Sequence, residues 1–409
     1  MTTTSRHHQA VIEQVAALRR ELHRHPELRF TETESQRRIA EALTDVAPTA
    51  EVTPVAGTGL VVRLPARPAR TGRTPSVLLR ADMDAYPVTE ETGLPYASTR
   101  SGVSHACGHD VHMATLVGVL AALAAAPPEC GSVTALFQPA EEIPYGEPSG
   151  ARTVLAEGKL ADQYDAVLGL HCWPDLQAGR VGVDARISMA AKDAFRIDVA
   201  GTAAHVASAS RGRDAILASA ALVQSLHTAI ARRRNSDDMV GFNVGTLSGG
   251  TSQSQVPATA TMTGTLRTHE PAVRQQLRAV VEQAVDGVAI AHDVTATLTW
   301  ADEMPAVIND PGLVALARSL RTEGLDVVDL PRSPLTADDF ALLTGLGPGL
   351  YLKLGTAAAD EPAPAPLHSS GFCVDEHCLP VGVRVLELLT RRVLADTGQH
   401  IPTTEGTST

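Results

Sequence analysis

Three histidines, one cysteine and one aspartate fall within eight residues, His105 to His112, directly before a long apolar run. We expect a helix to begin at Asp110, whose side-chain oxygen can accept the free N–H groups of the first helical turn. Cys107 and His109 would then lie on one side of the turn before that helix. A thiolate and an imidazole so placed favour zinc or a similar borderline-soft metal. A buried helix start with incidental histidines is the alternative, since free cysteine is often plain core.

The length and charge bound the classes of protein to which this chain can belong. At 409 residues the chain exceeds one ordinary hydrophobic core, so two domains are expected. The formal charge of −12 argues against nucleic acid or an anionic membrane as a partner. The N-terminus lacks the apolar core of a signal peptide and no stretch approaches a membrane span, which predicts a cytoplasmic protein. Five irregularly spaced cysteines do not form the pattern of a disulfide framework.

Three predicted strands each end in polar side chains. The strands are 76–80, 132–138 and 166–170, and the side chains that follow them are Asp82, Asp84, Glu141, Glu142 and His171. Strands that alternate with helices indicate a mostly parallel sheet covered on both faces. In such sheets the ligand crevice lies outside the carboxyl ends of the strands. We therefore expect these five side chains to meet at one edge.

The order of predicted strands and helices changes after Arg186. The predicted order there is β-α-β-β-α-β, which is the ferredoxin-like pattern of a small separate domain. From Ala301 the sequence again predicts strands that alternate with helices, as before Arg186. The sequence thus predicts an α/β protein in which residues 188–300 are inserted into a mostly parallel-sheet domain made of 1–187 and 301–397. Residues 398–409 are polar and are expected to form a disordered tail.

The metal hypothesis extends beyond the first cluster. The candidate ligands are Cys107, His109, Glu142, His171 and His368. Five ligands of mixed type exceed the needs of one tetrahedral site, so two metal ions are the better prediction. Glu141, adjacent to a candidate ligand but itself free, is the natural general base and acid. The alternatives are a solvated surface pair for Glu141 and Glu142, and a lone surface histidine for His368.

Seven segments, which occur in family order and span nearly the whole chain, carry a resemblance. They are LRRELHRHPEL (18–28), RADMDAYPVTEETG (80–93), SHACGHDVH (104–112), FQPAEE (137–142), GLHCWPDLQAGRVGV (169–183), GTLRT (264–268) and LHS at His368. The chain resembles the metallopeptidase-type amidohydrolase family of hippurate hydrolases, bacterial N-acyl-amino-acid aminoacylases and plant auxin-conjugate hydrolases. The resemblance implies metal-dependent hydrolysis of the amide bond of an N-acyl amino acid or related small amide.

The same resemblance implies roles for particular residues and partners. It makes Cys107, His109, Glu142, His171 and His368 the ligands of two divalent metal ions, zinc or manganese, with cobalt or nickel as further options. It makes Glu141 the general base of a di-metal catalytic domain. It also implies that the inserted ferredoxin-like domain is a lid through which the chain forms a homodimer.

The lid carries the remaining candidate residues. His205 matches the lid histidine that stabilises the oxyanion of the tetrahedral intermediate, often in the partner subunit. Arg267 could pair with a substrate carboxylate, because a guanidinium matches carboxylate geometry. Ser254 stands where the family usually has asparagine, and Ala209 and Ser210 stand where it usually has proline and histidine. These three residues lie on the lid surface that is expected to bind the substrate.

Three other functions stay open at this point. A cysteine hydrolase would use Cys107 as its nucleophile and would survive a chelator. A non-catalytic binding protein would keep the metal and present the lid to a partner, although it would have no use for Glu141. A hydrolase of a specialised biosynthetic conjugate would share the chemistry and differ in its substrate.

Overall fold

The structure is a computed structural model that describes residues 3–70, 72–144, 146–359 and 363–395. Its helices are α1 (Thr3–Arg24), α2 (Thr33–Val46), α3 (His109–Ala125), α4 (Gly150–Ala156), α5 (Ala215–Arg233), α6 (Pro271–His292), α7 (Pro311–Ser319), α8 (Phe340–Leu343) and α9 (Cys378–Ala395). Its strands are β1 (Glu51–Val55), β2 (Gly59–Arg63), β3 (Ser76–Asp82), β4 (Ser132–Gln138), β5 (Ala166–Gln177), β6 (Arg180–Asp184), β7 (Ile187–Met189), β8 (Ala191–Ala200), β9 (Ala204–His205), β10 (Val240–Gly249), β11 (Gln255–Val256), β12 (Thr259–Thr268), β13 (Thr295–Met304), β14 (Val307–Ile308), β15 (Asp326–Leu330) and β16 (Gly349–Ala357). The tail predicted at 398–409 lies outside the described residues.

The larger sheet has eight strands in the order β1-β2-β4-β3-β5-β16-β6-β15. Its centre, from β4 through β3 and β5 to β16, is parallel, whereas β1, β2 and the β16–β6 pair add antiparallel contacts. Successive side chains of a strand point to opposite faces. Leu79 accordingly packs with helices α1, α2, α3, α7 and α9, whereas Leu78 packs with α4 and α8. The expectation of an α/β fold with a large, mostly parallel sheet is confirmed.

Helix α3 lies in the core of this layer and begins at His109, one residue earlier than predicted. The residue before it is Gly108, with φ of 84°, and a Cβ there would lie 2.6 Å from Cys172 Sγ. The prediction that Asp110 caps this helix is wrong, because its side chain makes no cap bond. Instead the buried Asp110 carboxylate pairs with Arg19 Nε at 2.7 Å and His23 Nδ1 at 2.8 Å.

The predicted end of the strand before His171 is also wrong. Strand β5 continues through His171 to Gln177, because β16 pairs with it in parallel as far as the Ala357–Gln177 register. Pro174 and polar neighbours resemble a loop in sequence, yet Lys353 of β16 lies opposite His171 and keeps the strand going. His171 therefore projects from inside the sheet rather than from a loop beyond it.

The elements between Ala191 and Met304 form a second, four-stranded antiparallel sheet in the order β10-β12-β8-β13. Helices α5 and α6 pack together against it, and along the chain the order is β-α-β-β-α-β. Helix α5 is long and apolar enough to cross a membrane by length and composition, which the sequence expectation had denied. Its apolar residues Leu222, Leu226 and Ile230 are buried in this small core.

Candidate metal centre

Two separate elements bring Cys107, His109 and His171 together. Cys107 and His109 flank the Gly108 turn at the start of α3, and His171 projects from β5. The three ligand atoms lie within 4.8 Å of one another, and all three side chains are buried. Cys107 Sγ lies 3.4 Å from His171 Nε2. The sheet edge at which the side chains were expected to meet therefore carries one sulfur and two imidazole nitrogens as potential metal ligands.

The hydrogen bonds of the two histidines fix which nitrogen faces this cluster. His109 Nδ1 donates to the Asp84 carbonyl at 2.7 Å, and His171 Nδ1 donates to the Cys172 carbonyl at 2.7 Å. In its neutral form each ring therefore has its lone pair on Nε2. His109 Nε2 is buried without a hydrogen-bond partner among the described residues. Such an orphan is costly unless something binds it, and the pattern is that of a metal-ligating histidine whose other nitrogen is oriented by an acceptor.

A second set of ligand atoms shares Cys107. His368 Nε2 lies 2.7 Å from Glu142 Oε1 and 3.2 Å from Cys107 Sγ. The backbone of His368 has a positive φ of 64°, which is uncommon for a residue with a Cβ and is frequent at ligand sites. Its ring stacks on Tyr86 with centroids 4.0 Å apart. The two donor groups would suit two divalent metal ions, with Cys107 common to both groups.

Asp84 holds the Glu141–Glu142 pair in place. Its carboxylate accepts the backbone N–H of Glu141 at 3.0 Å and that of Glu142 at 2.8 Å. Glu142 can then join His368. Glu141 lies within 4.8 Å of His109 and Glu142 on one side and of the Asp338–Asp339 pair on the other. Burial and the carboxylates of Glu142 and this acidic pair raise the pKa of Glu141 well above its usual range. A raised pKa makes the Glu141 carboxylate a stronger base.

A buried arginine balances the acids behind the cluster. Arg80 donates to Asp82 at 2.5 Å, to Asp339 at 2.9 Å and to Tyr351 at 3.1 Å. Although burial opposes it, Arg80 holds the pKa of Asp82 well below its usual range. Burial lowers the pKa of His109, but Asp82 and Asp84 outweigh it and raise that pKa to about 10. A metal cation at His109 Nε2 would replace this proton.

His112, the last residue of the first cluster, is already engaged at both ring nitrogens. Its Nδ1 donates to Asp82 at 2.5 Å, and its Nε2 accepts the backbone N–H of Cys172 at 2.8 Å. A backbone N–H can only donate, so the tautomer is fixed and no lone pair remains for a metal. His112 orients its neighbours, which agrees with its absence from the predicted ligands.

The lid candidates lie apart from the cluster. His205 is exposed on β9, and its Nδ1 accepts the Ala207 N–H at 3.1 Å. The Ser254 carbonyl accepts the N–H of Val206 at 3.1 Å, so His205 and Ser254 lie in adjoining turns. No ligand group among the described residues includes either one. The structure brings the five predicted ligands and Glu141 together, and leaves these two residues outside.

Arg267 also stands away from the ligands, on β12. It is half-buried and donates to the Leu335 carbonyl at 2.8 Å. Burial lowers the pKa of its guanidinium, and among the described residues no carboxylate lies within ion-pair distance. Leu335 precedes Asp338 by three residues, so Arg267 contacts the loop that leads to the acids near Glu141. A half-buried cation without an anion is a candidate contact for one.

Sequence reasoning missed the supporting residues of the cluster. Asp84 was expected at the sheet edge, but the hydrogen bonds that it accepts from two backbone N–H groups were not. Arg80 and the Asp338–Asp339 pair were not assigned to the site. The available signal was RADMD, in which a charged residue at each alternate position of a buried strand requires partners.

Comparison with known proteins decides the family. A model described as Peptidase family M20/M25/M40 matches residues 78–392. The chain belongs to this family. Its relatives include N-acetyl-L-cysteine deacetylase of Bacillus subtilis, 34% identical over 366 residues, covering 89% of this chain and 84% of the relative. Another is N-acetyldiaminopimelate deacetylase of the same species, 31% identical over 379 residues and covering 92% of this chain and 97% of the relative.

The fold of this M20-family chain also matches a solved structure. The Bacillus subtilis YXEP protein, described as a dinuclear metal binding peptidase from the M20 family, is 31% identical with a TM-score of 0.79. The match covers 95% of this chain and 99% of that one. These findings confirm the resemblance to the metallopeptidase-type amidohydrolases and the expectation of a hydrolase. The family assignment agrees with metal-dependent cleavage of an amide bond and with two divalent metal ions.

Proposed function

We propose that the protein removes the acyl group from a small N-acyl amino acid by hydrolysing its amide bond. The deacetylase names of the B. subtilis relatives support this substrate class. The observation that carries the proposal is the orphaned Nε2 of buried His109, beside a thiol, a second imidazole and a free carboxylate. That combination has no use in a plain hydrophobic core.

The metal ligands in this proposal are Cys107, His109, Glu142, His171 and His368. Bound divalent metals would polarise the substrate carbonyl and lower the pKa of the attacking water. A set of one sulfur, three imidazoles and one carboxylate favours zinc or manganese, with cobalt or nickel as further candidates. The sulfur argues most strongly for zinc, because manganese prefers oxygen ligands.

Glu141 performs the proton transfers. Its carboxylate accepts a proton from the attacking water and later donates it to the leaving amide nitrogen. The raised pKa of Glu141 supports this role, because it makes the carboxylate a stronger base. The Asp84 bonds to two adjacent backbone N–H groups keep this carboxylate at a fixed distance from the ligands.

Residues 188–300 serve as the lid in this proposal, over a catalytic domain formed by 1–187 and 301–397. Because His205 Nδ1 accepts a backbone N–H, the neutral ring carries its hydrogen on Nε2 and can donate to an oxyanion. Arg267 binds the substrate carboxylate, and Ser254 contacts the substrate from the turn beside His205.

A homodimer through the lid completes this arrangement. Strand β10 forms an edge of the four-stranded sheet, and exposed edges favour pairing with another strand. The apolar side chains of Val206, Ile216, Leu217 and Leu247 are exposed on the same part of the chain. We place the enzyme in the cytoplasm, where a cysteine ligand stays reduced.

The test is hydrolysis of a panel of N-acyl amino acids by the purified protein. The protein is assayed as purified, after chelation, and after restoring zinc or manganese. Metal-dependent release of a free amino acid is expected. Full activity after chelation would favour the cysteine hydrolase instead, and no turnover with metal bound would favour the binding protein or a specialised conjugate.

A further inference from the structure

Glu32 is a fully buried carboxyl group that the proposed chemistry does not use. It occupies the N-cap position of α2, where Ser, Thr, Asp and Asn are the usual residues, and its side chain makes no cap bond. Burial, together with the nearby Asp84 carboxylate, raises the pKa of Glu32 to about 7. A buried acid is costly compared with an apolar side chain. Its contacts therefore need an explanation other than helix capping.

Those contacts lead to the turn that carries Glu141. Glu32 Oε1 accepts the backbone N–H of Ala140 at 2.9 Å, and its Oε2 accepts the hydroxyl of Thr58 at 2.5 Å. Ala140 has a φ of 52°, in the left-handed region that is unfavourable for a residue with a Cβ. Ala140, the residue before Glu141, is thus held in a strained conformation by the Glu32 carboxylate at the start of α2.

The rest of the turn is fixed from its other side. The Ala140 carbonyl accepts the N–H of Gly150 at 2.8 Å, and a Cβ on Gly150 would lie 1.6 Å from the Pro139 carbonyl oxygen. Asp84 accepts the next two backbone N–H groups, those of Glu141 and Glu142. The Ala140 N–H is the remaining donor of the turn, and Glu32 is its acceptor.

We propose that Glu32 is a positioning residue that holds Ala140 in the left-handed conformation and so aims the Glu141 carboxylate at the reacting water. This proposal rests on the proposed function, because it takes Glu141 as the base. In this proposal Glu32 acts on Glu141 through Ala140 and does not touch the substrate. Its loss should therefore slow the chemical step without removing the metal ligands or the contacts that bind substrate.

The first experiment measures kcat, KM and bound metal for Glu32→Ala, with Glu34→Ala as the matched control. Glu34 lies on the same helix, with its carboxylate 44% exposed and paired with Arg37. We expect Glu32→Ala to lower kcat about tenfold or more, the range set by one strained backbone residue, with KM and metal content unchanged. Unchanged kcat, or a loss of metal equal to the loss of kcat, would overturn the proposal.

Two further variants separate positioning from general support of the fold. Glu32→Gln keeps an oxygen that can accept from Ala140, so its kcat should stay near that of the wild type. Ala140→Gly removes the Cβ that disfavours the left-handed region, so it should have little effect alone and should restore part of the kcat lost in Glu32→Ala. No recovery in the double variant would contradict the proposal.

The crystal structure of Glu32→Ala gives a readout that is independent of turnover. The proposal predicts that residue 140 leaves the left-handed region and that the Glu141 carboxylate shifts away from its wild-type position. An unchanged turn would reject it. If the wild type hydrolyses none of the panel, the proposed function fails by that assay, and the crystal structure still decides whether Glu32 holds the turn.

Discussion

Cys107 and His171 face each other in the candidate metal centre, with Sγ 3.4 Å from Nε2. The same sulfur lies 3.2 Å from His368 Nε2, which belongs to the other group of ligand atoms. A thiolate can bind two metal ions at once, whereas each imidazole nitrogen here has one lone pair. With the proposed ligands, both metal positions would therefore depend on Cys107.

The first prediction concerns metal content. Cys107→Ala should lose most of both metal ions, whereas His368→Ala should lose mainly the one that it shares with Glu142. Metal per chain, measured by mass spectrometry after dialysis, checks this. Cys130→Ala is the control, because Cys130 is half-buried, its sulfur donates to the Leu394 carbonyl, and no ligand group among the described residues includes it. A Cys107→Ala protein that keeps both metals would contradict the shared-ligand geometry.

His112 provides a second prediction, because it lies in the same motif without a free nitrogen. His112→Gln should keep the bound metal and lower the free energy of unfolding by about 1–3 kcal/mol, the cost of breaking a buried hydrogen bond. His109→Gln should lose metal. Metal content and urea unfolding of the two variants measure the contrast. Equal metal loss in both would mean that His112 is itself a ligand.

Much of the main sheet could be predicted from sequence because its strands are buried on both faces. Strand β4 has the predicted bounds, since its mostly apolar residues end at Gln138, directly before Pro139. Strand β15 was missed because its residues, Asp326 to Leu330, mix charge with valine at the sheet edge. Burial there depends on pairing with β6, which no local pattern shows.

The candidate site, like the sheet, could be predicted only in part from the sequence. The five ligand candidates could be found because Cys107 and His109 adjoin an apolar helix and the others follow buried strands or a matching motif. The residues that hold the site in place could not be predicted, since Asp84 accepts the backbone N–H groups of Glu141 and Glu142, which lie about 57 residues away in sequence. Only the folded chain brings them within reach.

Metal uptake should depend on pH, and the sign follows from the metal-free protein. His109, whose pKa is raised to about 10, carries a proton at neutral pH that a metal must displace. Burial and the Glu142 and Glu141 carboxylates raise the pKa of the Cys107 thiol well above its usual range, so it also loses a proton on binding. Affinity should therefore increase from pH 7 towards pH 10, about tenfold per pH unit for each proton released.

Calorimetry of the metal-free protein in buffers of different ionisation heats counts these protons. We expect proton release on metal binding at pH 7. Binding without proton release would mean that neither Cys107 nor His109 meets the metal.

Arg267 should affect substrates only through their carboxylate. Arg267→Met should raise KM for an N-acyl amino acid about tenfold or more, as expected for losing a hydrogen bond to a charged group, with little change in kcat. The corresponding N-acyl amino-acid amide should show no such effect. Arg196→Met on the neighbouring strand is the control, because Arg196 is exposed and paired with Asp198. An equal effect on both substrates would remove Arg267 from the carboxylate site.

In the proposed mechanism Glu141 transfers the proton without ligating the metal ions. Turnover and metal content are measured for the wild type and for Glu141→Gln, which removes the titrating group and keeps the side-chain size. We expect metal content equal to the wild type and a loss of at least about 10²-fold in kcat, the usual contribution of a general base. Retained turnover with metal bound would exclude Glu141 as the general base.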